Sequence, residues 1–157
     1  MHWLELDPEN CSIGRTLDLV GRPWTFLVLR EAFHGIRRFE QLQRHLGVSR
    51  PVLSQRLRHL VDAGLLERTS YREPGSRARD EYRLTAKGRD LYPVLLALMQ
   101  WGDDYVADAD GPVVEVRHRG CGHAVRVAMV CDQGHPVESV RDLEARPGPG
   151  ARRLQTD

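Results

Sequence analysis

The chain has 157 residues, with 23 Lys+Arg against 22 Asp+Glu and a formal net charge of +1. That length suits one core domain with an appendage, because single cores commonly run to about 100–150 residues. A hydrophobic fraction of 41%, a charged fraction of 29% and a mean hydropathy of -0.47 describe an ordinary soluble chain. No run approaches the ~20 apolar residues of a membrane helix, and the opening Met1-His2-Trp3-Leu4-Glu5 lacks the layout of a secretory signal. A cytoplasmic location without membrane attachment is therefore expected.

Three cysteines, at 11, 121 and 131, make no disulfide framework; a reducing compartment would keep them as thiols or metal ligands. With the net charge so close to zero, any case for nucleic acid rests on how charge is distributed. Lys87 is the only lysine, and arginines gather between Arg37 and Arg89, while acids such as Asp103, Asp104, Asp108 and Asp110 lie elsewhere. Arginine favours bidentate contacts to phosphate and guanine, although a GC-rich genome gives the same bias without a functional cause.

In chain order, Ile13, Leu17 and Val20 follow helical spacing and predict a short first helix from Cys11 to Val20, closed by Gly21-Arg22-Pro23. Trp24, Phe26, Leu27, Leu29 and Phe33 predict a second, core helix that begins near Pro23 in its first turn and ends at Gly35. Phe39, Leu42 and Leu46 continue to Gly47, a C-terminal cap, after which Ser49 is placed to N-cap a helix with Pro51 in its first turn. Along that helix Leu53, Leu57, Leu60 and Val61 make one apolar stripe, so Arg50, Ser54, Gln55 and Arg58 project from another face.

After Ala63-Gly64, residues 65–71 and 82–84 predict two antiparallel strands around a Gly- and Arg-rich tip that carries Arg77 and Arg79, with Arg72 on its stem. Thr85 can cap a long last helix, running to about Ala107, whose Leu91, Val94, Leu95, Leu98 and Trp101 suggest burial. Val113 to His118 and Ala124 to Val130 then read as two short strands joined by Gly120-Cys121-Gly122. From Arg146 onward no apolar periodicity remains, and disorder is expected. The resulting division is residues 1–108, 109–145 and 146–157. The fold class is mainly α with small β: a winged helix-turn-helix core, a long C-terminal dimerisation helix and a small C-terminal β-hairpin.

Three helices followed by a basic-tipped hairpin is the order of a winged helix, whose third core helix enters the major groove. Cys11-Ser12-Ile13-Gly14-Arg15-Thr16-Leu17-Asp18-Leu19-Val20-Gly21, Trp24, Leu29-Arg30-Glu31, Arg38-Phe39, Leu53-Ser54-Gln55-Arg56-Leu57 and Tyr82-Arg83-Leu84-Thr85-Ala86-Lys87-Gly88 resemble the HxlR-type regulators of the MarR-like group. The resemblance covers roughly Cys11 to Trp101. It implies a transcription regulator acting as a homodimer on a pseudo-palindromic duplex operator, with the first and last long helices at the interface. Repression is the expected sign. Gly21-Arg22-Pro23-Trp24 departs from the family's usual Gly-Lys-Trp link, which alters the start of the second helix and leaves the DNA face untouched.

By chemistry, Arg50, Ser54, Gln55 and Arg58 are the candidates for base edges, because Gln pairs bidentately with adenine and Arg with guanine. Ser49 suits a cap and phosphate contact. Arg72, Arg77 and Arg79 suit phosphates or the minor groove, and Arg37 and Arg38 could add phosphate contacts. Arg56, beside the apolar stripe, can instead pair internally with Glu67.

Two further constellations stand outside the DNA face. Cys11 begins the first helix, where the helix field and Arg15 favour a thiolate; some HxlR-type regulators carry a reactive cysteine there, which implies an oxidant, electrophile or other small-molecule effector. The alternative is an inert thiol. His118, Cys121, His123, Cys131 and His135 could offer a structural zinc set: Cys121 and Cys131 with two of the histidines, His118 and His135 being the pair chosen. Relatives often have a second Cys-x-x-Cys where this chain has Gly134, and a metal-free β-hairpin is the alternative. No cofactor is required. A Gly-rich phosphate loop, a His-Glu-x-x-His motif and spaced catalytic carboxylates are all missing from the sequence, so no enzyme is expected. The competing reading is a winged-helix protein-interaction module without specific DNA binding, separable by the salt dependence of duplex binding.

Overall fold

The computed structural model describes residues 3–72, 75 and 79–154. Short 3-10 turns at Trp3–Glu5 and Pro8–Asn10 precede α1 (Ser12–Val20), α2 (Thr25–Phe33), α3 (Phe39–Leu46) and α4 (Arg50–Asp62). The hairpin β1 (Leu66–Tyr71) and β2 (Arg79–Leu84) follows, then α5 (Ala86–Arg89), α6 (Tyr92–Tyr105), β3 (Met129–Val130), β4 (Pro136–Val137) and a 3-10 turn at Val140–Asp142. Two compact units divide the chain: Met1–Tyr92 with Pro147–Asp157, and Pro93–Arg146. The boundaries differ from the expected 1–108, 109–145 and 146–157, because one falls inside the long helix and the C-terminal segment groups with the N-terminal unit.

In the first unit Val28 and Leu29 of α2, Leu42 of α3, Leu53, Leu57 and Leu60 of α4, and Leu65 and Leu66 at the start of the hairpin are all buried. β1 and β2 are antiparallel, in a register that pairs Leu66 with Leu84 and Tyr71 with Arg79. The link before α3 adds a third edge: Tyr82 N donates to Arg37 O at 2.8 Å, and Arg38 bridges Glu81. Gly47 closes α3 in the left-handed region, at φ 66, where a missing Cβ removes the steric cost.

α2 starts two residues later than the sequence suggested. Thr25 N donates to Arg22 O at 3.1 Å, so Pro23 sits in a turn and Trp24 becomes the N-cap residue at φ 73. That left-handed conformation costs a bulky residue roughly 1–2 kcal/mol, offset by the helix it starts. α2 also buries Glu31, at 1% exposure, an acid that apolar periodicity passes over. Arg30 donates to its Oε1 from Nε at 2.8 Å and from Nη2 at 2.5 Å, and His45 Nδ1 of α3 lies 2.7 Å from Oε2. A buried carboxylate persists only with such partners.

The motif Thr85-Ala86-Lys87-Gly88 closes the far end of α4. Thr85 Oγ1 accepts from Gly88 N at 3.0 Å and donates to Gly64 O at 2.6 Å, while Lys87 Nζ donates to Ala63 O at 2.8 Å. Ala63, Gly64 and Leu65 are where the helix releases its last carbonyls, which otherwise go unpaired. A Cβ on Gly88 would collide with Leu65 O, so no other residue fits without moving backbone.

In the second unit, Gln100 Oε1 of α6 accepts from Val127 N at 3.0 Å. The two strands expected at 113–118 and 124–130 reduce to a bridge between Arg117 and Ala124, and a separate hairpin pairs Met129 with Val137. Burial along α6 was expected too, yet none of its residues is buried: Leu95 is half-buried, while Val94, Leu98 and Trp101 stand exposed. The C-terminal stretch, for which disorder was expected, pairs with the N-terminus: Asp7 N donates to Arg152 O at 3.0 Å and Leu154 N to Glu5 O at 2.8 Å. Backbone pairing needs no apolar period, which is why composition gave no sign of it.

Gly88→Ala is expected to lower stability by about 1–3 kcal/mol, the usual cost of forcing extra volume into packed structure. Urea denaturation followed by circular dichroism checks this, and an unchanged midpoint would refute the close approach.

Candidate nucleic-acid interface

α4 presents two faces of opposite chemistry. Leu53, Leu57 and Leu60 are completely buried, while Ser49, Arg50, Gln55 and Arg58 are exposed and Ser54 is half-buried. The sequence-derived recognition set therefore comes together on one side of one helix. Ser49 holds the N-cap position in extended geometry, but its side chain makes no cap hydrogen bond, in contrast to the expected cap. Free N–H groups at the first turn of a helix suit an anion in general. The Arg50 guanidinium lies 4.7 Å over the Phe39 ring, a cation–π contact that holds it beside the helix start.

Arg56 is half-buried, and its Nε is buried without a hydrogen-bond partner; it does not serve the face that Arg58 serves. His59, which periodicity did not single out, ties α4 to α1: its Nε2 lies 2.8 Å from Leu19 O. A carbonyl only accepts, so Nε2 carries the proton of this bond. The recognition helix is thus pinned to its neighbour by a polar contact as well as by leucines.

The hairpin supplies the second surface. Arg72 and Arg79 are exposed; Arg79, expected at the tip, instead opens β2 opposite Tyr71, and Arg77, also expected at the tip, lies outside the described residues. Arg68 pairs with Asp80 at 3.6 Å and Arg83 with Glu81 at 2.5 Å, so much of the stem's positive charge is compensated locally. Arg38 stacks on Tyr71 at 4.6 Å and braces the wing root, while Arg37 is exposed. Burial, and then Asp80, push the Tyr82 phenol above its usual range against a smaller opposing effect of Arg68.

The other two expected sites fare differently. Cys11 is the N-cap residue of α1, with no side-chain cap bond, and its thiol is free and half-buried. In the second unit His118 Nδ1 lies 3.2 Å from Cys121 Sγ, and His123 Nδ1 lies 3.0 Å from the Cys121 carbonyl. Cys131 and His135 bracket a separate turn, with Cys131 N donating to His135 O at 3.0 Å. Among the described residues no group of three or more His, Cys, Asp or Glu converges to hold a metal, so the donors do not assemble the four-ligand set that a structural zinc takes.

A helical core whose α4 offers a polar face, followed directly by a β-hairpin wing, defines a winged helix-turn-helix DNA-binding module. The family of HxlR-like helix-turn-helix proteins matches residues 19–110; the chain belongs to that family and is a helix-turn-helix transcriptional regulator. It is 47% identical over 142 residues, 90% of this chain and 89% of the relative, to the uncharacterized HTH-type transcriptional regulator Rv3095 of Mycobacterium tuberculosis. Among solved structures, the putative transcription factor PA1607 superposes with a TM-score of 0.78 at 36% identity, covering 88% of this chain and 95% of that one. The redox regulator HypR in its oxidized form gives a TM-score of 0.56 at 28% identity, over 62% of this chain and 100% of HypR. No described helix is long and apolar enough to cross a membrane.

Arg58 is exposed on α4 and makes no ion pair among the described residues, so Arg58→Ala is expected to weaken binding to a specific duplex by about 1–3 kcal/mol, the worth of one good base contact. Fluorescence anisotropy at several salt concentrations checks it. Unchanged affinity throughout would remove Arg58 from the interface.

Proposed function

We propose that the chain acts as a cytoplasmic homodimer that occupies a pseudo-palindromic operator and represses transcription by excluding polymerase. α4 reads bases through Arg50, Ser54, Gln55 and Arg58, Ser49 holds phosphate, and the wing tracks the backbone through Arg72, Arg77 and Arg79. The observation that carries the reading is α4 itself, with three leucines buried and its opposite polar face offered to solvent. The reading requires no cofactor and assigns the chain no catalytic activity.

Dimerisation is supported by uncovered apolar faces. On α1, Ile13 is 72% and Leu17 54% exposed; on α6, Leu98 is 51% and Trp101 59% exposed. Soluble chains seldom leave such rows open unless a partner covers them, and a two-fold partner would set two recognition helices about one DNA turn apart. Cys11 is the proposed sensor: modifying a half-buried thiol at the start of α1 would shift that helix and, through the His59 contact to Leu19 O, the recognition helix. A relative described as a redox regulator is in keeping with this.

The direct test titrates purified protein against the DNA immediately upstream of its own gene, with scrambled DNA as control. Specific binding that weakens steeply with salt is expected; equal binding to both duplexes would count against the reading. The dimer has its own test, in which Leu98→Glu is expected to give a monomer by light scattering and to lower operator affinity at least about tenfold. A variant that stays dimeric would place the interface elsewhere.

A further inference from the structure

Away from the DNA face of α4, a cleft of about 580 Å3 opens where the end of α2, the wing stem and α5 meet, and Phe33, Arg37, Glu67, Arg83, Arg89 and Tyr92 line it. Its size falls within the ~300–1,000 Å3 of small-ligand sites. The lining has two chemistries. Arg37, Arg83 and Arg89 line the cleft with one carboxylate, Glu67, which stands opposite Arg83 in the strand register; Glu81, outside the lining, pairs with Arg83. Beside them Phe33 and Tyr92 meet with ring centroids 4.7 Å apart and planes inclined at 46°, forming an angled aromatic wall.

Two of the three cations are already held in place. Arg89 Nη1 donates to Leu84 O at 2.8 Å, which spends one donor and leaves the rest of the fork. Arg83 is held through Nε and Nη2 by Glu81, which leaves Nη1. Arg37 is exposed and completes the set from the link before α3. Cations positioned before a ligand arrives lower the ordering cost of binding, and guanidinium forks match planar oxyanions.

We propose that this cleft binds a small organic anion, with a carboxylate or phosphate head held by Arg37, Arg83 and Arg89 and an aromatic body lying against Phe33 and Tyr92. Occupancy acts on the wing root. Arg37 O accepts the Tyr82 N–H, and Arg83 is the next residue of β2, so an anion that draws these two guanidiniums together changes the setting of the hairpin relative to α2. The regulatory consequence rests on the regulator reading; the binding does not.

The test uses the full chain without DNA, titrated calorimetrically with benzoate and phenyl phosphate, and with benzyl alcohol as the neutral control. At least one anion is expected to bind saturably at one site per chain with a Kd below about 1 mM, and the alcohol at least about tenfold more weakly. In Arg37→Gln/Arg83→Gln, affinity for that anion is expected to fall at least about tenfold. If the double variant melts lower than the parent, Arg37→Gln alone carries the comparison, since that side chain is exposed. Absence of binding, equal binding of the alcohol, or parental affinity in the folded variant each overturns the proposal. Operator titrations run in parallel separate the two claims. A chain that binds DNA but neither anion overturns the cleft alone, whereas one that binds an anion but no DNA supports the cleft and removes the regulator reading.

Discussion

The burial of Leu53, Leu57 and Leu60 decides what the rest of the molecule can do. Each leaves water completely, and at roughly 1.5–3 kcal/mol per fully buried side chain the three together outweigh any rearrangement that would turn α4 about its axis. The rotation of the helix is therefore set from inside, and the identity of its outer face follows. Its C-terminal part is fixed as firmly. Thr85 and Lys87 take the carbonyls released after Asp62, and His59 reaches across to α1. A reading surface must be held within a fraction of an ångström to discriminate bases, and rigid support of this kind supplies that.

The charge pattern fits local recognition better than long-range attraction. A net charge of +1 provides little steering field, and the stem arginines Arg68 and Arg83 are matched by Asp80 and Glu81. Such exposed pairs add little stability, but they subtract from the basic surface, and the proposed interface therefore rests on a few residues, Arg58 and Arg79 among them. Binding then depends on surface fit and counterion release at those points. The open apolar rows of α1 and α6 fit the proposed dimer, which would present two copies of a small contact set at once.

Much of this was legible in the sequence. Helical spacing and the Gly47 cap located α3 and α4, and the leucine stripe of α4 told its inner face from its outer one, because periodicity reports burial directly. Periodicity is blind to isolated polar contacts, which is why Glu31 and His59 were missed although both lie at structural joints. It also misread α6: a strong apolar stripe says that a face will be covered, not that this chain covers it. The start of α2 shifted because Trp24 adopts a left-handed backbone that propensity assigns to glycine, and the pairing of Glu5 and Asp7 with the C-terminal segment rests on backbone groups that every sequence carries. His118, Cys121, Cys131 and His135 have ligand-like spacing along the chain, but their two turns do not bring the donors into one group, and spacing alone could not report that.

The measurement that bears most directly on the central claim is a hydroxyl-radical footprint of the protein on the duplex upstream of its own gene. Two protected patches on one face of the DNA, centred about one helical turn apart and related by an approximate two-fold, are what paired α4 faces predict. A single patch, or uniform protection that follows protein concentration without sequence register, would contradict a dimer reading its operator through α4.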